Sequence, residues 1–273
     1  MKAMKKIAVL AGLTVLTFGR VLAQSDVKEQ LVVPLSEPGK PFKIVSHAMN
    51  SGMKVIGYEG KDVVITVTGK SNPRRESSGG GGMKRIGGNS GGEVTAEENH
   101  NTVSINAGMS HFALIEIKVP QTGGTFDVGT VNNGNIEVEN VSGQLEVSNV
   151  NGGITVTNVS GSVVANTVNG NVEVSLRSVD PQAPMAFSTL NGKIDVTFPA
   201  GFKANVKLKA EHGDIFTDFD VEVSKDKPVA KKTTEDHTYR IDIDDWVYGK
   251  IGGGGPEMMM KTTYGSVYLR KAK

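Results

Sequence analysis

Between Gly134 and Val174 the apolar residues fall on a nine-residue grid. Glycines stand at Gly134, Gly143, Gly152, Gly161 and Gly170. Two places after each comes Ile136, Leu145, Ile154, Val163 or Val172, and four places after comes Val138, Val147, Val156, Ala165 or Val174. Seven places after comes Val141, Val150, Val159 or Val168. The residues between are mostly Asn, Ser, Thr, Glu and Gln. A glycine followed by apolar residues at every second place predicts a short strand with one buried face. The third apolar slot breaks that parity, so the strand bends before it. All three slots are expected in the core. Asn or Ser before each Gly suits a turn with positive φ.

A longer period lies on top. Asn133-Gly134, Asn151-Gly152 and Asn169-Gly170 alternate with Ser142-Gly143 and Ser160-Gly161, so each turn type recurs every 18 residues. An 18-residue coil with two short strands, one on each side of a thin core, explains the alternation. The expected fold is all-β: a β-solenoid in which each coil touches only its neighbours. A sandwich of hairpins is the weaker alternative, because hairpins require neither constant strand length nor alternating turns. The grid extends outward through Phe126, Val128 and Val131, then Met185, Phe187 and Leu190. Gly192 leads Ile194 and Val196, Gly213 follows Val206 and Leu208, and Gly265 leads Val267 and Leu269. Turn glycines are therefore expected at Gly134, Gly143, Gly152, Gly161, Gly170, Gly192, Gly213 and Gly265. Met258 and Met260 fall on core slots around an outward Met259. Residues 63–67, 103–105 and 113–119 read as strands off this grid. They predict irregular N-terminal coils or a cap over the open end of the stack.

Two glycine-rich stretches, residues 77–92 and 252–255, read as flexible insertions. Neither has the Gly-Lys-Ser/Thr ending of a phosphate loop, so no nucleotide site is expected. The first 23 residues resemble a secretory signal: Lys2, Lys5 and Lys6, an apolar run from Ile7 to Phe18, then Val21-Leu22-Ala23. The expected division is a signal peptide at 1–23, a leader segment at 24–41 and one solenoid domain at 42–273. The mature chain is expected to carry no transmembrane segment. Its location would be the periplasm, the outer surface or the medium.

Composition narrows the chemistry. The chain has 273 residues, no cysteine, 34 glycines and a formal charge of +1. Zero cysteine removes thiolate metal sites, disulfides and Cys nucleophiles. A charge near zero argues against nucleic acid as a partner. His47, His100, His111, His212 and His237 share no metal-ligand spacing. Calcium β-roll turns need an aspartate in each repeat, and none occurs between Val128 and Val179. No catalytic residue, metal or cofactor is expected. The most site-like group is Asp242, Asp244 and Asp245 beside Trp246, where carboxylates and an aromatic ring would suit a carbohydrate. An outward row of aspartates on a strand is the plainer account. Asp214, Asp218 and Asp220 form a second acidic group, read the same way.

The stretch Ile115-Glu116-Ile117-Lys118-Val119-Pro120, then Phe126-Asp127-Val128, then the Asn-Gly-Asn-Ile-Glu-Val and Ser-Gly-Gln-Leu-Glu-Val units, resembles the bacterial putative-adhesin family of β-strand-repeat domains of unknown function. The closing Tyr264-Gly265-Ser266-Val267-Tyr268-Leu269-Arg270 resembles that family's last strand. The likeness spans residues 42 to 271. It implies a right-handed β-solenoid in an exported or envelope protein, and it supplies no catalytic residues. The expected function is a non-enzymatic scaffold or adhesion-type binding protein whose partner is a protein or glycan of the cell envelope. The alternative is a carbohydrate-binding or carbohydrate-active β-helix.

Overall fold

The computed structural model describes residues 27–69, 94–107, 112–132, 134–224, 230–235, 238–243 and 246–273. The glycine-rich stretch 77–92 and the 1–23 segment lie outside them. Every regular element among the described residues is a strand, and no helix there is long and apolar enough to cross a membrane.

Twenty strands form one hydrogen-bonded sheet that folds into two facing walls. The front wall runs Thr95–Asn99, Thr102–Asn106, Phe42–Ala48, Gly124–Thr130, Ser142–Asn149, then the second half of Ile154–Asn169. It continues through Met185–Asn191, Glu257–Tyr264, Ala204–Ala210, Val247–Ile251 and Val221–Val223. The back wall runs Val27–Val33, Val63–Gly69, Phe112–Pro120, Gly52–Tyr58, Ile136–Glu139, then the first half of Ile154–Asn169. It ends with Val172–Val179, Ile194–Phe198, Val267–Lys271 and Ile215–Thr217. Pairing is parallel through the middle and antiparallel at both ends of the front wall and at the N-terminal end of the back wall. Ala230–Glu235 and Thr238–Ile243 form a separate hairpin.

The 18-residue offset appears directly in the register. Gly143 pairs with Gly161, Leu145 with Val163, and Ile154 with Ile136 and Val172. Inward side chains from the two walls fill the space between, and Phe126, Ile136, Ile154, Phe187 and Phe198 are fully buried. Burial of each such side chain contributes roughly 1.5–3 kcal/mol before chain entropy. Met258 and Met260 are buried and Met259 points outward, as their spacing predicts.

Coil order along the stack departs from chain order at two places. The coil of residues 42–58 lies between the coils 102–120 and 124–139. The coil of residues 257–271 lies between 185–198 and 204–217. The first and the last coils in chain order are thus interior coils.

The third apolar slot does not behave uniformly. Val141 and Val159 are buried, but Val131, Val168 and Leu190 are exposed and Val150 is half-buried. At the serine–glycine corner, Asn140 and Asn158 adopt φ of 59° and 55°. One left-handed residue breaks the two-residue alternation and turns the next valine inward. At the asparagine–glycine corner the alternation continues unbroken. Thr130, Asn149, Thr167 and Thr189 take the inward place, and the apolar residue that follows points out. Each inward polar group donates across the corner: Thr130 to the Ser51 carbonyl, Asn149 to Gly134, Thr167 to Gly152, Thr189 to Gly170. Thr262 repeats this to Gly192.

Positive φ is found at Gly143, Gly161, Gly192 and Gly265, but not at Gly152, Gly170 or Gly213. Close stacking is common to all seven. A Cβ on Gly161 would collide with the Gly143 carbonyl, and one on Gly170 with that of Gly152.

Candidate functional surface

The asparagine–glycine corner carries two parallel ladders. Met49, Val131, Val150, Val168 and Leu190 form an outward apolar rail of five rungs. With neighbouring strands about 4.8 Å apart, the rail is about 19 Å long. Beside it run Asn132, Asn151, Asn169 and Asn191. Asn151 Nδ2 donates to Asn132 Oδ1 at 2.9 Å, Asn169 to Asn151 at 2.8 Å, and Asn191 to Asn169 at 2.7 Å. Each ladder bond uses one amide N–H and one carbonyl lone pair, leaving a second of each for an outside partner.

On the front wall, next to the rail, three polar side chains meet over a glycine. His47 Nε2 lies 3.0 Å from Asp127 Oδ1. A methyl placed on Gly129 would sit 2.5 Å from His47 Nδ1 and 2.8 Å from Ser148 Oγ. His47 and Ser148 thus close over Gly129, and a shallow depression of about 200 Å³ beside them is lined by His47, Ser148, Met49, Val131 and Val150. Asp, His and Ser in this order resemble a nucleophilic triad. Acyl transfer also needs free N–H donors aimed at the developing oxyanion. Here the surrounding backbone donors are used within the wall: Val131 N–H on Ala48, Val150 N–H on Thr130, Asn151 N–H on Val131.

The back wall's outer charges neutralise one another. Lys54 sits between Glu139 and Glu137 at 2.8 and 3.1 Å, and these bonds hold its amine above the ordinary lysine value. Lys193 on Glu173 and Arg270 on Asp195 are raised by the same cause.

Exposed aromatic rings gather at the end of the stack that holds the coil 204–217. Phe216 stacks on Tyr268, which Arg270 also covers, and His212 stacks on Tyr264. Lys207 Nζ lies 4.5 Å from the Trp246 ring centre and 5.9 Å from that of Tyr248. A second depression, about 450 Å³, opens here beside Lys207, Tyr248, Lys250 and Glu257.

Of the acidic group expected from sequence, Asp242 lies on the strand Thr238–Ile243, opposite Lys231. Asp244 and Asp245 lie outside the described residues. Trp246 faces the lysines of Ala204–Ala210. Asp218 accepts the Lys271 amide, and the Asp214 N–H bonds Ser266 Oγ, so these carboxylate residues serve the chain around them. Among the described residues no cluster of three His, Asp or Glu is placed to hold a metal. The His47–Asp127–Ser148 group went unseen in the sequence. Its members meet only because the coil 42–58 is inserted beside 124–139, and no local pattern encodes that insertion.

A family model described as Toastrack DUF4097 matches residues 25–245. Among solved structures, a putative cell adhesion protein from Clostridium sporogenes is similar at 10% identity, with 91% of this chain and 100% of that chain covered and a TM-score of 0.46. A putative adhesin from Bacteroides fragilis is similar at 10% identity, with 91% and 98% covered and a TM-score of 0.28. No curated protein shows a significant match to the sequence.

Proposed function

The chain belongs to the Toastrack DUF4097 family, and from that premise we propose that it is an exported, non-enzymatic scaffold that binds an envelope partner in the manner of an adhesin. The observation that carries this reading is the asparagine–glycine corner. It holds an apolar rail and an amide ladder in fixed register on a wall whose strands are bonded on both sides. Such a surface presents repeated contacts without reorganisation, which favours binding an extended partner. In this reading residues 1–23 are removed on export, the 42–273 region winds as one right-handed solenoid as parallel crossovers do, and the turn glycines allow close stacking of the coils. Mass spectrometry of the secreted protein tests export, with a mature terminus expected at Gln24. Binding of the purified, labelled protein to intact bacterial cells tests adhesion. Val168→Asp together with Leu190→Asp is expected to abolish it without lowering the melting temperature.

The aromatic end favours a second reading, a carbohydrate-binding role centred on Trp246 with Asp242, Asp244 and Asp245. Sugar rings pack on exposed aromatic faces, and Tyr248 and Phe216 stand exposed at that end of the stack. A glycan-array signal lost in Trp246→Ala but kept in Val168→Asp favours this reading over the first.

A further inference from the structure

We propose that the strand Thr238–Ile243 is a dimerisation edge, which pairs antiparallel with the same strand of a second copy about a twofold axis at Ile241.

Ala230–Glu235 and Thr238–Ile243 form a sheet of their own, and no other strand among the described residues joins it. A lone two-stranded ribbon is marginal in water and gains from further strands. Its two outer edges differ. Ala230–Glu235 carries Lys231 and Lys232 at successive positions, hence one on each face, a pattern that keeps an edge from pairing. Thr238–Ile243 instead sorts its residues by face. Tyr239, Ile241 and Ile243 share one face, and Arg240 and Asp242 share the other.

Pairing this strand with its own copy about Ile241 makes every rung complementary. Tyr239 falls opposite the partner's Ile243, Ile241 opposite the partner's Ile241, and Arg240 opposite the partner's Asp242. Aromatic against branched aliphatic and cation against anion are the cross-strand pairs that stabilise a sheet. Moving the axis onto Arg240 or onto Asp242 sets like charges opposite each other. Moving it midway between Arg240 and Ile241 sets Tyr239 against Asp242. Charge and apolar pattern therefore select one register.

The backbone agrees. Bonded and non-bonded pairs alternate along an antiparallel ladder. Only two residues separate Glu235 from Thr238, so the pair they form closes the ribbon as a bonded one. Thr238, Arg240 and Asp242 thus use their N–H and C=O groups within the ribbon, and Tyr239, Ile241 and Ile243 present theirs at the open edge. These are the residues that the twofold pairing requires to bond across the axis. Arg240 and Asp242 then occupy non-bonded rungs, where opposite residues come closest. The product is a four-stranded sheet shared by two copies. It uses no residue of the asparagine–glycine corner, so a dimer offers that surface twice to one extended partner.

Sedimentation velocity of the whole protein, at concentrations up to about 100 µM, tests this. The native protein is expected to dimerise. Arg240→Asp leaves only acidic residues on the charged rungs and Asp242→Arg only basic ones. Each variant alone is expected to have its dimer dissociation constant raised at least about tenfold. An equimolar mixture of the two restores opposite charges on every rung and is expected to form the mixed dimer. A native protein that stays monomeric, a dimer indifferent to either substitution, or a mixture that stays monomeric overturns the proposal. Should either charge variant fail to fold, a single thiol tests the same axis, because the chain has no cysteine. A bonded rung holds its Cα atoms about 5.5 Å apart, within disulfide range. Ile241→Cys is expected to give a covalent dimer under mild oxidation, and Thr234→Cys on the other strand of the ribbon is not. No covalent dimer from Ile241→Cys, or equal yields from both variants, overturns the axis at Ile241.

Discussion

The two corners of the coil are built from nearly the same residues and have opposite outcomes for one valine. At the serine–glycine corner Asn140 and Asn158 enter the left-handed region, and Val141 and Val159 turn into the core. At the asparagine–glycine corner the strand keeps its alternation. A threonine or asparagine closes the coil from within, and Val131, Val168 and Leu190 face solvent. One backbone torsion decides whether a side chain strengthens the fold or is available to a partner. The repeat thereby separates its stability from its surface without changing its spacing.

Charge substitution tests this difference most severely. Val159→Asp places an unpaired carboxylate among fully buried side chains and is expected to cost about 4 kcal/mol or more, enough to unfold the block. Val168→Asp at the other corner is expected to stay within about 0.5 kcal/mol. Thermal melts of the two variants decide the matter, and equal shifts refute the parity account. Glycine replacement comes next. Gly161→Ala drives a methyl into the Gly143 carbonyl, at about 1–3 kcal/mol of overpacking in addition to backbone strain. Gly253→Ala, where nothing lies within 4 Å, carries only the strain of its positive φ, about 1–2 kcal/mol. Denaturant midpoints separate them.

A smaller effect isolates the inward hydroxyl. Thr167→Val keeps the shape but takes the donor from the Gly152 carbonyl, at about 1–2 kcal/mol. Asn169→Ala, which removes an exposed ladder rung, should register less in the same assay. The smallest change is one of pH, remote from both corners. The Ser36 hydroxyl, with the amides of Asn101 and Ser36, holds the Glu98 carboxyl below its usual range. A depressed carboxylate contributes stability above its unfolded pKa and loses it as pH falls through the folded value. Acid is therefore expected to lower the protection factors of the Ser36 and Asn101 amides, their exchange rates taken relative to the intrinsic rate at each pH, in the native protein and not in Glu98→Gln. Corner amides such as Val150 and Ser160 should serve as unmoved references.

The strands, the 18-residue register and the burial of Met258 and Met260 were legible because each follows from local alternation. The parity of the third slot was only half legible. Asn140 and Asn158 precede inward valines, whereas Thr167 and Thr189 precede outward residues. Asn149 breaks any simple rule: it resembles the first pair in sequence and the second in structure, because its side chain bonds the Gly134 carbonyl instead of its backbone turning left-handed. The coil order was not legible at all. A grid that lets every coil stack on every other carries no information about which neighbour it meets. The meeting of His47 with Asp127 and Ser148 was hidden for that reason. The acidic group at Asp242 lay in plain view as sequence, yet its strand belongs to a separate hairpin and Trp246 packs toward lysines instead.

The interior place of residues 257–271 makes them the keystone of the stack. A chain built from its N-terminal side lays down the coils through 198, leaves a gap one strand wide, and sets 204–217 beyond it. Until the keystone arrives, the strand edges on both sides of that gap stand unpaired, and unpaired edges invite other chains. Closing it requires contacts across more than 70 residues of sequence, as between Asp195 and Arg270, which slows the step. The molecule therefore cannot mature coil by coil like an open-ended solenoid. The coil made last in the chain has to take its place between two coils made before it.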